Sequence, residues 1–191
     1  MGTRHDLYFM LHLPDAIAKA IVCHQRQLNA SYRGPSKPMD PDRLHTTLVP
    51  LGSYEQRIPL EVLRVARKSG ALLDEAPFRV CFDTLQSRGQ QRELGTVELA
   101  GHGQGVQPLY RLRRQLVDAL RQAGWPPECI RQSFYPHITL DYRHEPVGVR
   151  RIKPLTWEVT EVQLVDSHYG EGRHEVLARW PLQDRQPSLF D

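Results

Sequence analysis

Apolar positions along this chain switch between a period of two and a period near three and a half, and the switches predict alternating strands and helices. Asp6 to Leu13 reads as a strand. Pro14-Asp15 then opens a helix to about Leu28, with Ile17, Ile21, Val22 and Leu28 on one face. A loop holding Gly34, Pro35, Pro38 and Pro41 delivers a short strand inside RLHTTLVPLG, which Pro41 and Gly52 bound. Pro59 starts a helix from Leu60 to about Leu73. Phe78 to Leu85 and Thr96 to Ala100 read as strands on either side of a polar turn. Pro108 to Ala123 reads as a helix that Gly124 and Pro126-Pro127 stop. A strand inside FYPHITLDYR follows, and Trp157 to Val165 and Glu175 to Trp180 form a last pair joined through Gly170-Glu171-Gly172. The pattern predicts an α+β fold: two pseudo-symmetric lobes of antiparallel sheet, with flanking helices, around a central cleft.

Two of these strands carry the same chemistry. His45-Thr46-Thr47-Leu48 and His137-Ile138-Thr139-Leu140 each place a histidine two residues before a threonine. On a strand, residues two apart share a face, so each copy presents an imidazole beside a hydroxyl while Thr46 and Ile138 turn into the lobe. In a chain with 9 His, such pairs arise by chance, so their matched setting carries the reading: both lie in strands, both follow a proline, both end on leucine. Brought together, the copies supply an acid, a base and two hydrogen-bond donors around one small anion.

Through these residues the chain resembles the two-histidine phosphoesterase superfamily, in the LigT-like branch of RNA 2',3'-cyclic phosphodiesterases also called 2'-5' RNA ligases. The resemblance runs from LYFMLHLPDAIAKAI through PDRLHTTLVPLG and SFYPHITL to VTEVQLVDSHYGEGRHEVLARWPL, and so reaches about residue 182. It implies hydrolysis of 2',3'-cyclic phosphate ends to 2'-phosphates without a metal or cofactor, with His45 as proton donor, His137 as acceptor, and Thr47 and Thr139 on the phosphate oxygens. Hydrolysis or joining of 2'-5' linkages in the same site is the neighbouring activity, and a non-catalytic RNA-end adaptor is the alternative from another class. Arg143 is a further candidate for the phosphate, against the plainer role of a solvated strand-end residue. The chain departs from the family pattern at Pro50 and at Asp141-Tyr142, which flank the motifs and bear on substrate preference.

Composition bounds the rest. The length of 191 residues suits one bilobal domain, here residues 1–182, followed by a tail at 183–191. The apolar stretches are broken by His12, Pro14, Asp15 and Lys19, and a soluble cytoplasmic monomer is expected. Cys23, Cys81 and Cys129 lack metal-ligand spacing and read as free, mostly buried thiols. A net charge of +3 permits a polyanionic substrate without arguing for duplex binding. Gly101-His102-Gly103-Gln104-Gly105 matches no nucleotide-binding loop and reads as a flexible turn. Arg111, Arg113, Arg114 and Arg121 read as a solvated helix face, and Tyr135 and Tyr142 as core. His168 and His174, with Glu171 and Glu175, have no recognised metal spacing. The last segment, Gln186-Pro187-Ser188-Leu189-Phe190, resembles the Q-x-S-L-F peptide that docks on the DNA sliding clamp. Gln186, Leu189 and Phe190 would make that contact, against a tail that simply folds back on the body.

Overall fold

The computed structural model describes residues 3–29, 34, 36–88 and 95–183. Alternation in RHDLYFMLH makes β1 (Arg4–His12), whose Leu7, Phe9 and Leu11 point inward. Pro14 ends the strand, its carbonyl accepts the first helical bonds, and α1 (Asp15–Asn29) follows. A 3₁₀ turn at Pro41–Arg43 leads into β2 (His45–Glu55), and Pro59 caps α2 (Leu60–Ala71). β3 (Phe78–Arg88), β4 (Gly95–Ala100), α3 (Gln107–Gln122) and β5 (His137–His144) build the second half, and β6 (Arg150–Val159), β7 (Glu161–His168) and β8 (Arg173–Pro181) end it.

The strands form two four-stranded sheets, β2-β1-β7-β8 and β5-β4-β3-β6, antiparallel throughout. Each motif strand, β2 or β5, stands at the edge of its own sheet, and the two edges adjoin. This is the pseudo-symmetric α+β pair of lobes expected from the sequence. α2 lies on β7 and β8, α3 lies on β3, and the two helices pack together, which leaves the opposite faces of the sheets to the cleft. Among the described residues no helix is long and apolar enough to cross a membrane.

Asp141, one of the departures flanking the second motif, ties the lobes together. Only 1% exposed, it accepts hydrogen bonds from Ser36 Oγ at 2.5 Å and Lys37 N at 2.8 Å. Met39 N donates to Leu140 O, Tyr142 N to Lys37 O, and Gln25 Nε2 of α1 to Leu140 O. The proline-containing loop thus pairs with the edge of β5 and covers backbone groups that an open edge would leave exposed.

The structure corrects the sequence at several points. Trp157 to Val165 is two strands, parted at Thr160, and β6 begins as early as Arg150. Its charged stretch and Pro154 hid it; β6 is an edge strand, where a proline forfeits no ladder bond on its open side. Cys23 and Cys129 are exposed and Cys81 is partly buried, so the thiols are not mostly core. The Gly101–Gly105 loop is no flexible turn: a Cβ at Gly101 would meet Val106 at 2.3 Å and the Cys81 carbonyl at 2.6 Å, so backbone packs on backbone there. Arg111 is tied to the nearly buried Glu75 at 2.7 Å, and Arg113 lies over Phe134, so that helix face is partly committed to structure. Tyr142 is 44% exposed rather than core.

A glycine also decides how α2 seats on its sheet. A Cβ on Gly70 would come within 2.4 Å of the Trp180 indole. Gly70→Val is expected to destabilise the fold by about 2–3 kcal/mol through overpacking, although glycine itself is a poor helix former. A urea midpoint shifted down at unchanged m-value would record it.

Candidate active site

His45 opens β2 directly opposite His12 on β1, and His137 opens β5 opposite Ala100 on β4. Both imidazoles are held in the same way. His45 Nδ1 lies 2.6 Å from the carbonyl of Arg43, and His137 Nδ1 lies 2.8 Å from the carbonyl of Tyr135, in each case two residues earlier in the chain. A carbonyl only accepts, so each Nδ1 carries the proton and donates it, and each Nε2 is left as the working nitrogen. Thr46 and Ile138 are buried at 1% and 0% exposure, while His45, Thr47, His137 and Thr139 remain partly exposed on the alternate face. The two histidines lie near enough that charge on His137 disfavours charge on His45.

The surroundings of the two histidines differ. The β2-β1-β7-β8 sheet is so twisted that diagonal corners meet over its concave face, and His174 from the start of β8 reaches the far end of β1. Its ring centroid lies 5.1 Å from that of His45, and that of His12 lies 6.1 Å from His45. His12 Nδ1 donates to Gln163 Oε1 at 2.5 Å, so His12 Nε2 accepts from His174 Nδ1 at 3.0 Å. Burial pushes His45 down to about 4, reinforced by His12, Arg43 and His137. Burial also pushes His174 down to about 3, with His45 and His12 adding to it, and it lowers His12.

His137 has a different neighbour. Glu98 of β4, 1% exposed and opposite Thr139 in register, holds Oε2 at 3.9 Å from His137 Nε2. Its Oε1 accepts from Gln86 Nε2 at 3.1 Å, the same amide donates to the Tyr135 hydroxyl at 2.9 Å, and Tyr135 stacks on His137 with centroids 5.8 Å apart. Oε2 has no hydrogen-bond partner among the described residues. One side of the cleft therefore gathers imidazoles and the other a buried carboxylate.

Sequence reasoning missed His12, His174, Glu98 and Gln86. Their only signal was strand alternation, which gives a face but not the register that sets them beside the motif histidines. Arg143 lies on β5, but its side chain, like the tail with Gln186, Leu189 and Phe190, falls outside the described residues. Beyond His12 and His174 the cleft opens into a cavity of about 500 Å³ lined also by Asp42, Trp157, Glu161 and Arg179.

A pH consequence follows from the imidazole cluster. Histidines held neutral in the folded protein bind more protons when it unfolds, so stability is full above about pH 6.5 and falls as the pH drops toward 4. The three rings share contacts and partial solvent exposure, so the expected loss is on the order of 3 kcal/mol rather than the sum of separate shifts. Urea unfolding at pH 7 and pH 4.5 would show it, and His174→Gln should flatten the dependence.

The model of the 2'-5' RNA ligase superfamily matches residues 13–171, which include both motifs. The chain belongs to that superfamily. Solved structures of its LigT-like, two-histidine phosphoesterase kind align along almost the whole chain. E. coli LigT in apo form is 26% identical with a TM-score of 0.71, covering 95% of this chain and 99% of that one. A phosphoesterase structure is 28% identical with a TM-score of 0.69 over 94% and 99%. TT0787 of Thermus thermophilus is 26% identical with a TM-score of 0.68 over 95% and 100%. E. coli LigT has been crystallised with 3'-AMP, with ATP and with phosphate. A flavonol synthase/flavanone 3-hydroxylase of Matthiola incana is 28% identical over 105 residues, 54% of this chain and 33% of that protein. The chain spans about a third of that relative's length, whereas this superfamily's fold accounts for both lobes.

Proposed function

We propose that this member of the 2'-5' RNA ligase superfamily is a phosphodiesterase that opens 2',3'-cyclic phosphates at RNA ends to 2'-phosphates by paired acid and base catalysis from His45 and His137. The observation that carries the reading is the matched pinning of both Nδ1 atoms, which leaves two Nε2 atoms to act on one substrate. In the reaction, water attacks phosphorus in line with the ribose O3'. One Nε2 takes the proton from water, the other gives a proton to O3' as its bond to phosphorus breaks, and the 2'-phosphate remains. Thr47 and Thr139 hydrogen-bond the nonbridging oxygens, where charge concentrates.

The resemblance makes His45 the donor and His137 the acceptor. The charges of this cleft favour the opposite direction for hydrolysis. Burial, the neighbouring imidazoles and Arg43 keep His45 Nε2 unprotonated and ready to take the proton of water, which leaves the leaving-group side to His137, whose Nε2 lies 3.9 Å from Glu98 Oε2. We therefore assign His45 the base and His137 the acid in hydrolysis, with the roles exchanged in ligation.

E. coli LigT bound to 3'-AMP and to phosphate supports a nucleotide end as the ligand, and the superfamily's name keeps 2'-5' linkages as the second reading. The test is turnover of nucleoside and oligonucleotide 2',3'-cyclic phosphates, with the product isomer read by phosphorus NMR. Accumulation of the 2'-phosphate is the expected result. Inert cyclic phosphates alongside cleaved 2'-5' dinucleotides would replace it with the second reading, and binding of RNA ends without turnover would replace both.

A further inference from the structure

At the opposite end of β1 from His12 lies a second cluster of histidines and carboxylates that the proposed reaction does not use. Asp166 and His168 stand two apart on β7 and share a face, His5 of β1 lies opposite His168, and Glu175 of β8 lies opposite Asp166. Three strands thus bring four ligand-type side chains into one staggered patch, with His5 and Glu175 on either side of the β7 pair. Asp166 and His168 are 5% and 6% exposed.

The donor atoms already converge. His5 Nδ1 is 2.6 Å from Asp166 Oδ2, His168 Nε2 is 3.5 Å from the same oxygen, and His168 Nε2 is 3.2 Å from Glu175 Oε2. The donor atoms of His5, Asp166 and His168 all lie within 4.8 Å of one another. Donors around a tetrahedral zinc ion sit about 3.3 Å apart, so the His168–Asp166 and His168–Glu175 separations already suit one, while the His5–Asp166 hydrogen bond must open and Glu175 must swing in toward His5 and Asp166 to complete the set. Asp166 Oδ1 is buried without a hydrogen-bond partner among the described residues. A divalent cation would neutralise the two carboxylates, and a set of two imidazoles and two carboxylates suits zinc-type ions.

We propose that His5, Asp166, His168 and Glu175 form a tetrahedral site for a zinc-type divalent cation that clamps β1, β7 and β8 together. Arg173 Nη2 donates to His168 Nδ1 at 2.9 Å, which places the imidazole proton on Nε2. Binding moves that proton to Nδ1, toward which Glu171 Oε2, 3.8 Å away, closes to accept it, and Arg173 turns to Glu171 and Glu175, already 3.7 and 3.5 Å away. The proton that His5 Nδ1 donates to Asp166 moves in the same way to His5 Nε2, so no net proton is released. Because His174 precedes Glu175 and points to the other face, the clamp also fixes the contact of His174 with His12 and His45.

The test uses the full chain, stripped with a chelator and titrated with Co²⁺ and then Zn²⁺. One Co²⁺ per chain with tetrahedral visible absorption is expected, displaced by Zn²⁺ with a rise in Tm of roughly 5 °C. Asp166→Asn and His168→Gln abolish the absorption, while His174→Ala, which alters the other imidazole cluster, leaves it. Should the buried variants fail to fold, Glu175→Gln, at a half-exposed ligand, is expected to weaken Zn²⁺ at least about tenfold. Absence of a stoichiometric Co²⁺ site in the parent, or a site lost in His174→Ala but kept in His168→Gln, overturns the proposal.

Discussion

Replacing either His45 or His137 by alanine is expected to lower kcat on a nucleoside 2',3'-cyclic phosphate by about 10³-fold, within the range over which positioned acids and bases act. KM should change little, because Thr47, Thr139 and the backbone around the phosphate remain. The two losses should not add: once one proton transfer is gone, the other imidazole has no concerted step to assist, so the double variant falls no further than about the worse single one. The outcome turns on the pinned tautomers. If His45 and His137 merely bound phosphate as hydrogen-bond donors, the losses would appear in KM and would add. Steady-state kinetics of the three variants beside the parent decides between these outcomes, with circular dichroism showing that the folds persist.

On a p-nitrophenyl phosphodiester, whose leaving group departs as an anion, His137→Ala is expected to regain about 10²-fold or more of its lost rate, while His45→Ala stays as impaired as on the cyclic phosphate. A general acid matters only when the leaving oxygen needs a proton, whereas the base is required with either substrate. With His45 held down to about 4, the acid limb of the parent's pH profile should lie well below that of an ordinary imidazole. Glu98→Gln, which removes the carboxylate 3.9 Å from His137 Nε2, should leave that acid limb where it is. Recovery by His45→Ala instead, together with a Glu98→Gln shift in the acid limb, would restore the direction that the resemblance implies.

The two motifs were legible because a strand has a period of two: His45 with Thr47 and His137 with Thr139 had to share a face once the strands were recognised. The helices were legible from their punctuation, with Pro14 and Pro59 at the starts and Gly124 after the third. β6 was not, because its alternation is diluted by Arg150, Arg151, Lys153 and Pro154, residues acceptable only on an edge, and edge position is a property of the sheet. Tyr142 and the exposed cysteines were misread for a related reason: an apolar or aromatic side chain has no burial until the neighbouring element is in place.

The sequence by itself determined the local order of strands and helices, the pairing of an imidazole with a hydroxyl in each motif, and the family to which those motifs are similar. Tertiary structure alone decided which groups surround each histidine. The twist of one sheet carried His174 onto His45, the register of another set Glu98 beside His137, and three adjoining strands assembled His5, Asp166, His168 and Glu175. Register and twist arise from contacts between segments far apart in the chain, and no periodicity within a segment encodes them.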